Sequence, residues 1–313
     1  MNVLKPKQKS KKVLITGGTG LVGTALTTLL VEKGYLVTIL TRNKNLTSKH
    51  PNIAYSYWDI NKGVIDKDEL FSANYIIHLA GAGIADKPWS VKRKTEILDS
   101  RVEPIKLIYN SLKNNSHQLK AFISASGVGY YGAITTNTIF EETATPANDF
   151  LGKTCLQWEQ AVDELNDLSI RTVKLRTGIV LAKNGGALPK MMQPFKFGLG
   201  AALGSGKQIM PWIHIDDLAQ LYVAAIENDS FNGAYNAIAG NVSNKNFSKM
   251  LSKAMNKPFW LPNVPGFMLK LFLGEMAVIL LEGSAASNQK LLQTGFKLHF
   301  TDLEMGLRKL VGE

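Results

Sequence analysis

The chain has 313 residues, 45% of them hydrophobic and 19% charged, with a formal net charge of +11. That apolar share excludes a disordered or fibrous chain and suffices for one large α/β domain or two smaller ones. Its single cysteine, Cys155, excludes an internal disulfide and a paired-cysteine metal motif, and fits a reducing cytoplasm.

Residues 1–10 read as a basic leader. Lys5, Lys7 and Lys9, continued by Lys11 and Lys12, have no acid among them, which points to a solvated arm and not to a nucleic-acid contact. No apolar stretch or small-residue cleavage site follows, so a signal peptide is not expected. Residues 13–16 then form a buried-strand run, followed by a glycine-rich turn, an amphipathic helix over 21–33 closed by Gly34, and a strand over 35–40. Further strands are expected at 53–57, 75–79 and 121–124, with a long helix over 89–112 between the last two. Strands alternating with helices predict parallel βαβ units with right-handed crossovers.

The second half is less regular. A helix is expected over 156–165, a strand over 171–175 and a helix over 216–227. Three helical patterns, 247–255, 265–281 and 303–310, then flank a short strand signal at 296–300. The most apolar late stretch, 267–281, is broken by Lys270 and Glu275 and is too short for a bilayer, so no membrane partner is expected. The fold class is therefore α/β: a Rossmann-type, doubly wound parallel sheet with a smaller C-terminal α/β substrate lobe. The larger domain is placed at 11–240, with parts of the substrate lobe from about residue 180, and a small helical lobe at 241–313.

Gly17-Gly18-Thr19-Gly20-Leu21-Val22-Gly23 spaces glycines at 17, 20 and 23, directly after a strand and at the start of a helix. A tight turn, a close pyrophosphate and close helix–strand packing each demand a missing side chain. The free N–H groups of the helix start, over Thr19, Gly20, Leu21 and Val22, face the phosphates. A phosphate loop of the GxxxxGK[ST] kind is absent. The second strand ends Leu40-Thr41-Arg42-Asn43, with no acid to bond a ribose 2′-hydroxyl. Arg42, beside Thr41, offers a fork to a 2′-phosphate, so NADP is expected ahead of NAD.

Those residues resemble the opening of the extended short-chain dehydrogenase/reductases, the nucleotide-sugar epimerase/dehydratase group. The closer likeness is to an atypical epimerase-like branch with a C-terminal domain of unknown function. It is carried by His78-Leu79-Ala80-Gly81, Glu96-Ile97-Leu98-Asp99-Ser100-Arg101, Ser124-Ala125-Ser126-Gly127-Val128-Gly129-Tyr130-Tyr131-Gly132 and Leu175-Arg176-Thr177-Gly178. Pro211-Trp212-Ile213-His214-Ile215-Asp216-Asp217 and Leu273-Gly274-Glu275-Met276-Ala277 continue it. The resemblance implies Asp59 near the adenine, Leu79, Ala80 and Gly81 beneath the dinucleotide, and cofactor contacts at Glu96 and Arg101.

It also implies hydride transfer assisted by a serine, an acid/base tyrosine and a lysine four residues later. Ser126 fits the serine. Where the tyrosine and lysine belong, the chain reads Asp149-Phe150-Leu151-Gly152-Lys153-Thr154-Cys155, which gives Leu151 and Cys155 in one register and Phe150 and Thr154 in the other. Tyr130 is the substitute acid/base candidate, with Lys153 as a cationic neighbour. Tyr131, Arg176 and His214 are assigned to the substrate cleft between the sheet and the C-terminal lobe. Mobile glycine loops are expected there at Gly185-Gly186 and 198–206. No metal is expected, because no HExxH-type spacing occurs. Two functions fit: an NADP-dependent oxidoreductase or epimerase acting on a small carbonyl or nucleotide-sugar substrate, and a non-catalytic NADP sensor or assembly protein.

Overall fold

The run Val13-Leu14-Ile15 is completely buried, so the strand that carries it needs cover on both faces. A computed structural model describes residues 11–312, and the basic leader over 1–10 lies outside the described residues. The first half runs β1 (Lys12–Thr16), α1 (Leu21–Glu32), β2 (Leu36–Thr41), β3 (Ile53–Asp59), β4 (Val64–Ile65), α2 (Lys67–Ser72), β5 (Tyr75–His78), α3 (Val91–Leu112) and β6 (Ala121–Gly127). A 3₁₀ turn at Val128–Tyr131 follows. Then come β7 (Ile139–Phe140), α4 (Phe150–Asp163), β8 (Arg171–Thr177), β9 (Ile179–Leu181), α5 (Ala187–Lys196), β10 (Ile209–His214), α6 (Ile215–Glu227), β11 (Gly233–Ala237) and β12 (Gly240–Ser243). The remaining elements are α7 (Asn244–Ala254), α8 (Gly266–Leu273), α9 (Val278–Leu281), β13 (Ala285–Ala286), α10 (Gln289–Gln293) and α11 (Leu303–Val311).

Eight strands form one sheet in the order β11-β8-β6-β5-β1-β2-β3-β4. Its neighbours are parallel except β3 and β4. The chain enters at β1, winds outward to β3, and returns past β1 to β5. That reversal opens a crevice at the carboxyl ends of β1 and β5. Alternate side chains feed two cores. Val13 and Ile15 pack with Leu26 and Leu30 of α1 and with Leu218 and Leu221 of α6. Leu14 packs with Ile105 and Ile108 of α3 and Trp158 of α4 on the other face. This is the expected doubly wound α/β architecture.

A second sheet, β12-β10-β9, carries its own core of Met210 and Trp212 against Phe247, Leu251, Leu303 and Leu307. Two sequence expectations change in this region. The 265–281 pattern breaks at Gly274, which takes φ +58° and separates α8 from a 3₁₀ turn and α9. Residues 296–300 form no strand. The Asp217 carboxylate, fully buried at the start of α6, instead takes the amides of His299 and Phe300 at 2.9 Å each, so these amides bond a side chain and not a ladder. Among the described residues no helix is long and apolar enough to cross a membrane.

The switch point is tied by a buried relay. Ala80 donates its N–H to Thr16 Oγ1 (3.2 Å), and Thr16 Oγ1 lies 2.7 Å from His78 Nδ1. His78 Nε2 meets the Arg101 carbonyl at 3.1 Å. A carbonyl only accepts, so Nε2 carries the proton and Nδ1 accepts from Thr16. Burial holds the His78 imidazole down to about 3, from 6.5. The unfolded chain therefore binds this proton below about pH 6.5, and the folded chain resists it until about pH 3. Stability is full above that window and falls through it as pH drops, by on the order of 5 kcal/mol from this group. Urea titrations of His78→Asn should show a shallower loss between about pH 6 and pH 4 than the parent protein. Equal slopes would contradict the neutral, buried histidine.

Candidate functional site

The crevice begins where β1 ends. Gly17 takes φ +70°, and a Cβ there would sit 2.7 Å from the Leu79 carbonyl carbon and 2.8 Å from the Ala80 nitrogen. A Cβ on Gly23 would fall 2.5 Å from Gly17 O and from Gly18 Cα. Two loops and the start of α1 thus meet backbone to backbone, which only glycine permits. Thr19 and Gly20 are exposed, and Leu21 and Val22 are half-buried at the first turn. No acid stands in that turn, so its N–H groups and positive dipole end are unopposed. These residues fit a dinucleotide pyrophosphate.

Along the crevice, Arg42 is exposed at the end of β2 and makes no ion pair among the described residues. Thr41 Oγ1 accepts from the Asn43 amide at 3.1 Å and shapes that turn. Asp59, at the end of β3, accepts from the Tyr57 hydroxyl at 3.2 Å and from the Lys62 amide at 3.2 Å. On α3, Glu96 and Arg101 do not act together. Exposed Glu96 pairs with Arg93 at 2.8 Å. Arg101 lies under Gly81, 3.1 Å from where a Cβ would be, and over the Trp158 ring at 5.1 Å. It donates to the Ile97 carbonyl at 2.7 Å and has no carboxylate partner among the described residues. Burial lowers its pKa.

The loop after β6 is where proton chemistry was expected. Asp149 caps α4 by accepting from the Gly152 amide at 2.8 Å. This starts the helix six residues earlier than the apolar pattern suggests and aims Leu151 and Cys155 at that loop. A Cβ on Gly129 would lie 3.4 Å from Leu151 Cβ and 3.8 Å from Cys155 Sγ. Of the two registers, Leu151 and Cys155 face the loop, one helical turn apart. Lys153 is exposed. Burial pushes the Cys155 thiol up to about 12, with Glu159 adding to it, so it stays protonated at neutral pH.

Ser126, Tyr130, Tyr131 and Arg176 are brought together in a packed network. Ser126 Oγ donates to Glu159 at 2.7 Å. Arg176, 3% exposed, forks onto both Glu159 oxygens at 2.8 Å and donates to the Tyr131 hydroxyl at 3.0 Å. Tyr131 in turn donates to Asn236 Oδ1 at 2.7 Å, and the guanidinium lies 3.4 Å from the Tyr130 ring centroid. Burial raises both tyrosine pKa values, against the lowering by Arg176. His214 sits apart. Buried at the end of β10, it caps α6 by accepting the Asp216 amide on Nδ1 at 3.1 Å and stacks on Phe300 at 3.9 Å. Burial lowers its pKa.

A cavity of about 440 Å³ lies between this loop and the smaller sheet. Val128, Gly129 and Leu151 wall it on one side, and Met191, Met210 and Leu251 on the other. Tyr130, Tyr131, Arg176 and His214 do not line it. The loop Gly185-Gly186 packs on Leu21 at the start of α1, where a Cβ on Gly186 would fall 3.0 Å from Leu21 Cδ2. Sequence reading missed Glu159, Asn236 and Gln208, and placed His78 only within a family motif. The available signal for Glu159 is its place on a helix face otherwise made of Cys155, Trp158 and Val162.

A family model described as the NAD dependent epimerase/dehydratase family matches residues 13–237, and a domain of unknown function (DUF1731) matches 264–310. The epimerase family protein YfhF of Bacillus subtilis (strain 168) is 36% identical over 302 residues, covering 96% of this chain and 98% of its own. The solved structure of the human epimerase family protein SDR39U1 (isoform 2) with NADPH superposes with a TM-score of 0.82 at 30% identity, covering 96% and 99% of the two chains. A nucleoside-diphosphate sugar epimerase from Corynebacterium glutamicum gives a TM-score of 0.77 at 29% identity over 97% of this chain and 58% of that one.

The buried fork yields a stability prediction. Glu159→Gln strands the Arg176 charge in the interior, a loss of about 3–5 kcal/mol in urea denaturation. Adding Arg176→Met to it should recover part of that loss. A single-variant loss below about 1 kcal/mol would mean that solvent reaches the pair.

Proposed function

Since the chain belongs to the NAD dependent epimerase/dehydratase family, we propose that it is an NADP-binding oxidoreductase or epimerase-like protein acting on a small molecule held between its two sheets. The carrying observation is the glycine cradle, where Gly17, Gly18 and Gly23 admit no side chain around an acid-free helix start. The amides of Thr19 to Val22 take the pyrophosphate. Arg42 takes the 2′-phosphate, and Asp59 stands at the adenine end. Leu79, Ala80 and Gly81 floor the crevice, with Arg101 behind them. The NADPH of the human relative supports NADP over NAD. Once bound, the dinucleotide supplies a hydride or accepts one. The substrate lobe is the unit built on β9, β10 and β12 with the C-terminal helices.

Within this reading Ser126 and Tyr130 are positioning residues, because their partners are Glu159 and Arg176. They hold the loop that walls the cavity. Leu151 and Cys155 cannot relay a proton at neutral pH. The same observation favours a second reading, in which the protein holds NADPH without turnover and reports on its supply. Oxidation of bound NADPH in the presence of a carbonyl and nucleotide-sugar panel separates the two.

Fluorescence titration tests the cofactor assignment. Loss of a charge-assisted fork costs about 1.5–3 kcal/mol, or roughly 10–100-fold in affinity. Arg42→Ala should therefore weaken NADPH by that factor and change NADH by less than about twofold. Equal losses for both dinucleotides would overturn the 2′-phosphate role of Arg42, and no binding of either by the parent protein would overturn the proposal.

A further inference from the structure

We infer that the cavity between the two sheets takes an uncharged, lipid-like molecule bearing a hydroxyl group, and that Gln208 reads the hydroxyl. The inference rests on the dinucleotide reading only in calling this molecule the substrate.

The wall chemistry comes first. The two charged side chains on the wall, Lys190 and Glu282, are both exposed. Lys190, 68% exposed, lies 4.0 Å from Asp86. Exposed Glu282 accepts from the Thr135 amide at 3.1 Å. Neither leaves a cation inside for a diphosphate, whose recognition takes Arg or Lys. Inner polar groups are also engaged. Asn244 Oδ1 accepts from the Leu203 amide at 2.8 Å, and Ser284 Oγ donates to the Gly132 carbonyl at 2.7 Å.

Gln208 is different. It is 2% exposed, lines the cavity, and donates Nε2 to the carbonyls of Leu203 at 3.0 Å and Leu280 at 2.7 Å. Both partners are acceptors, so the amide cannot be flipped: the reverse orientation would set its oxygen against two carbonyls. Its Oε1 is thereby fixed as a buried acceptor without a partner, a state that costs about 1–3 kcal/mol until a donor arrives. A ligand hydroxyl supplies that donor, and apart from Ser248 and the polar side chains named above the wall supplies apolar contact.

The approach to the cavity has the same character. Leu273, Met276 and Leu280 line it, while the preceding turns of that segment hold Phe267, Leu271 and Phe272 72%, 78% and 75% exposed. An apolar ligand meets apolar surface on its way in.

Isothermal titration calorimetry of the full chain, with and without NADPH, tests this with decan-1-ol, its methyl ether and UDP-glucose. The alcohol should bind, the ether should bind about five- to tenfold more weakly for want of one donor, and UDP-glucose should give no heat. Gln208→Met should bring the alcohol down to the level of the ether, with circular dichroism confirming the fold. Where that variant fails to fold, the alcohol-to-ether ratio of the parent protein decides. Equal affinities, no binding of the alcohol, or UDP-glucose binding more tightly than the alcohol would each overturn the inference. Alcohol binding without any NADPH binding would overturn the dinucleotide reading and leave this one standing. NADPH binding without alcohol binding would do the reverse.

Discussion

Two backbone segments meet at the carboxyl ends of β1 and β5 too closely for any side chain, and the crevice is built around that meeting. Gly17 must pass within van der Waals distance of Leu79 and Ala80, with no room for a side chain between them. The Thr16–His78–Arg101 relay fixes that approach from below and anchors α3 to the same point. Because the sheet reverses its winding there, the gap cannot close by sliding one strand over another. Such a reversal leaves a crevice above the strand ends, with the first turn of α1 at its edge.

Polar and apolar groups are divided unusually on the other side of the groove. The residues that look chemical in sequence turn into the protein, with Ser126, Tyr131 and Arg176 hydrogen-bonded in a network with Glu159 and the Tyr130 ring under the Arg176 guanidinium. Their charge-assisted bonds join β6, α4 and β8 and hold the loop over Val128–Tyr131 rigid. The cavity is left with Gly129 and Leu151 at its inner end. A fold whose relatives carry the names of sugar-nucleotide epimerases here presents a wall suited to hydrocarbon.

The difference between what was legible in sequence and what was not follows from contact range. The glycine turn, its flanking strand and helix, and Arg42 at the next strand end lie within thirty residues, and local pattern finds them. The parallel sheet follows from strand–helix alternation. The strand β10 is obscured by Pro211, which stands opposite Asn241 at an antiparallel pairing. Residues 296–300 alternate like a strand but spend the amides of His299 and Phe300 on Asp217, more than eighty residues away. The same distance hides the site. Glu159–Arg176 and Gln208–Leu280 pair residues 17 and 72 positions apart, and no local pattern announces either. His78 is read as one residue of a family motif, and its part in tying the switch point emerges only with Thr16 and Arg101 beside it.

We propose that the dinucleotide lies in the switch-point groove with its nicotinamide against a wall that has no proton relay, and a crystal structure of the NADPH complex decides the matter. The pyrophosphate should lie on the amides of Thr19 to Val22, and the nicotinamide ring should touch Leu151 and Gly129. A nicotinamide bonded to the Tyr130 or Ser126 hydroxyl, or a dinucleotide bound away from Gly17, would contradict it.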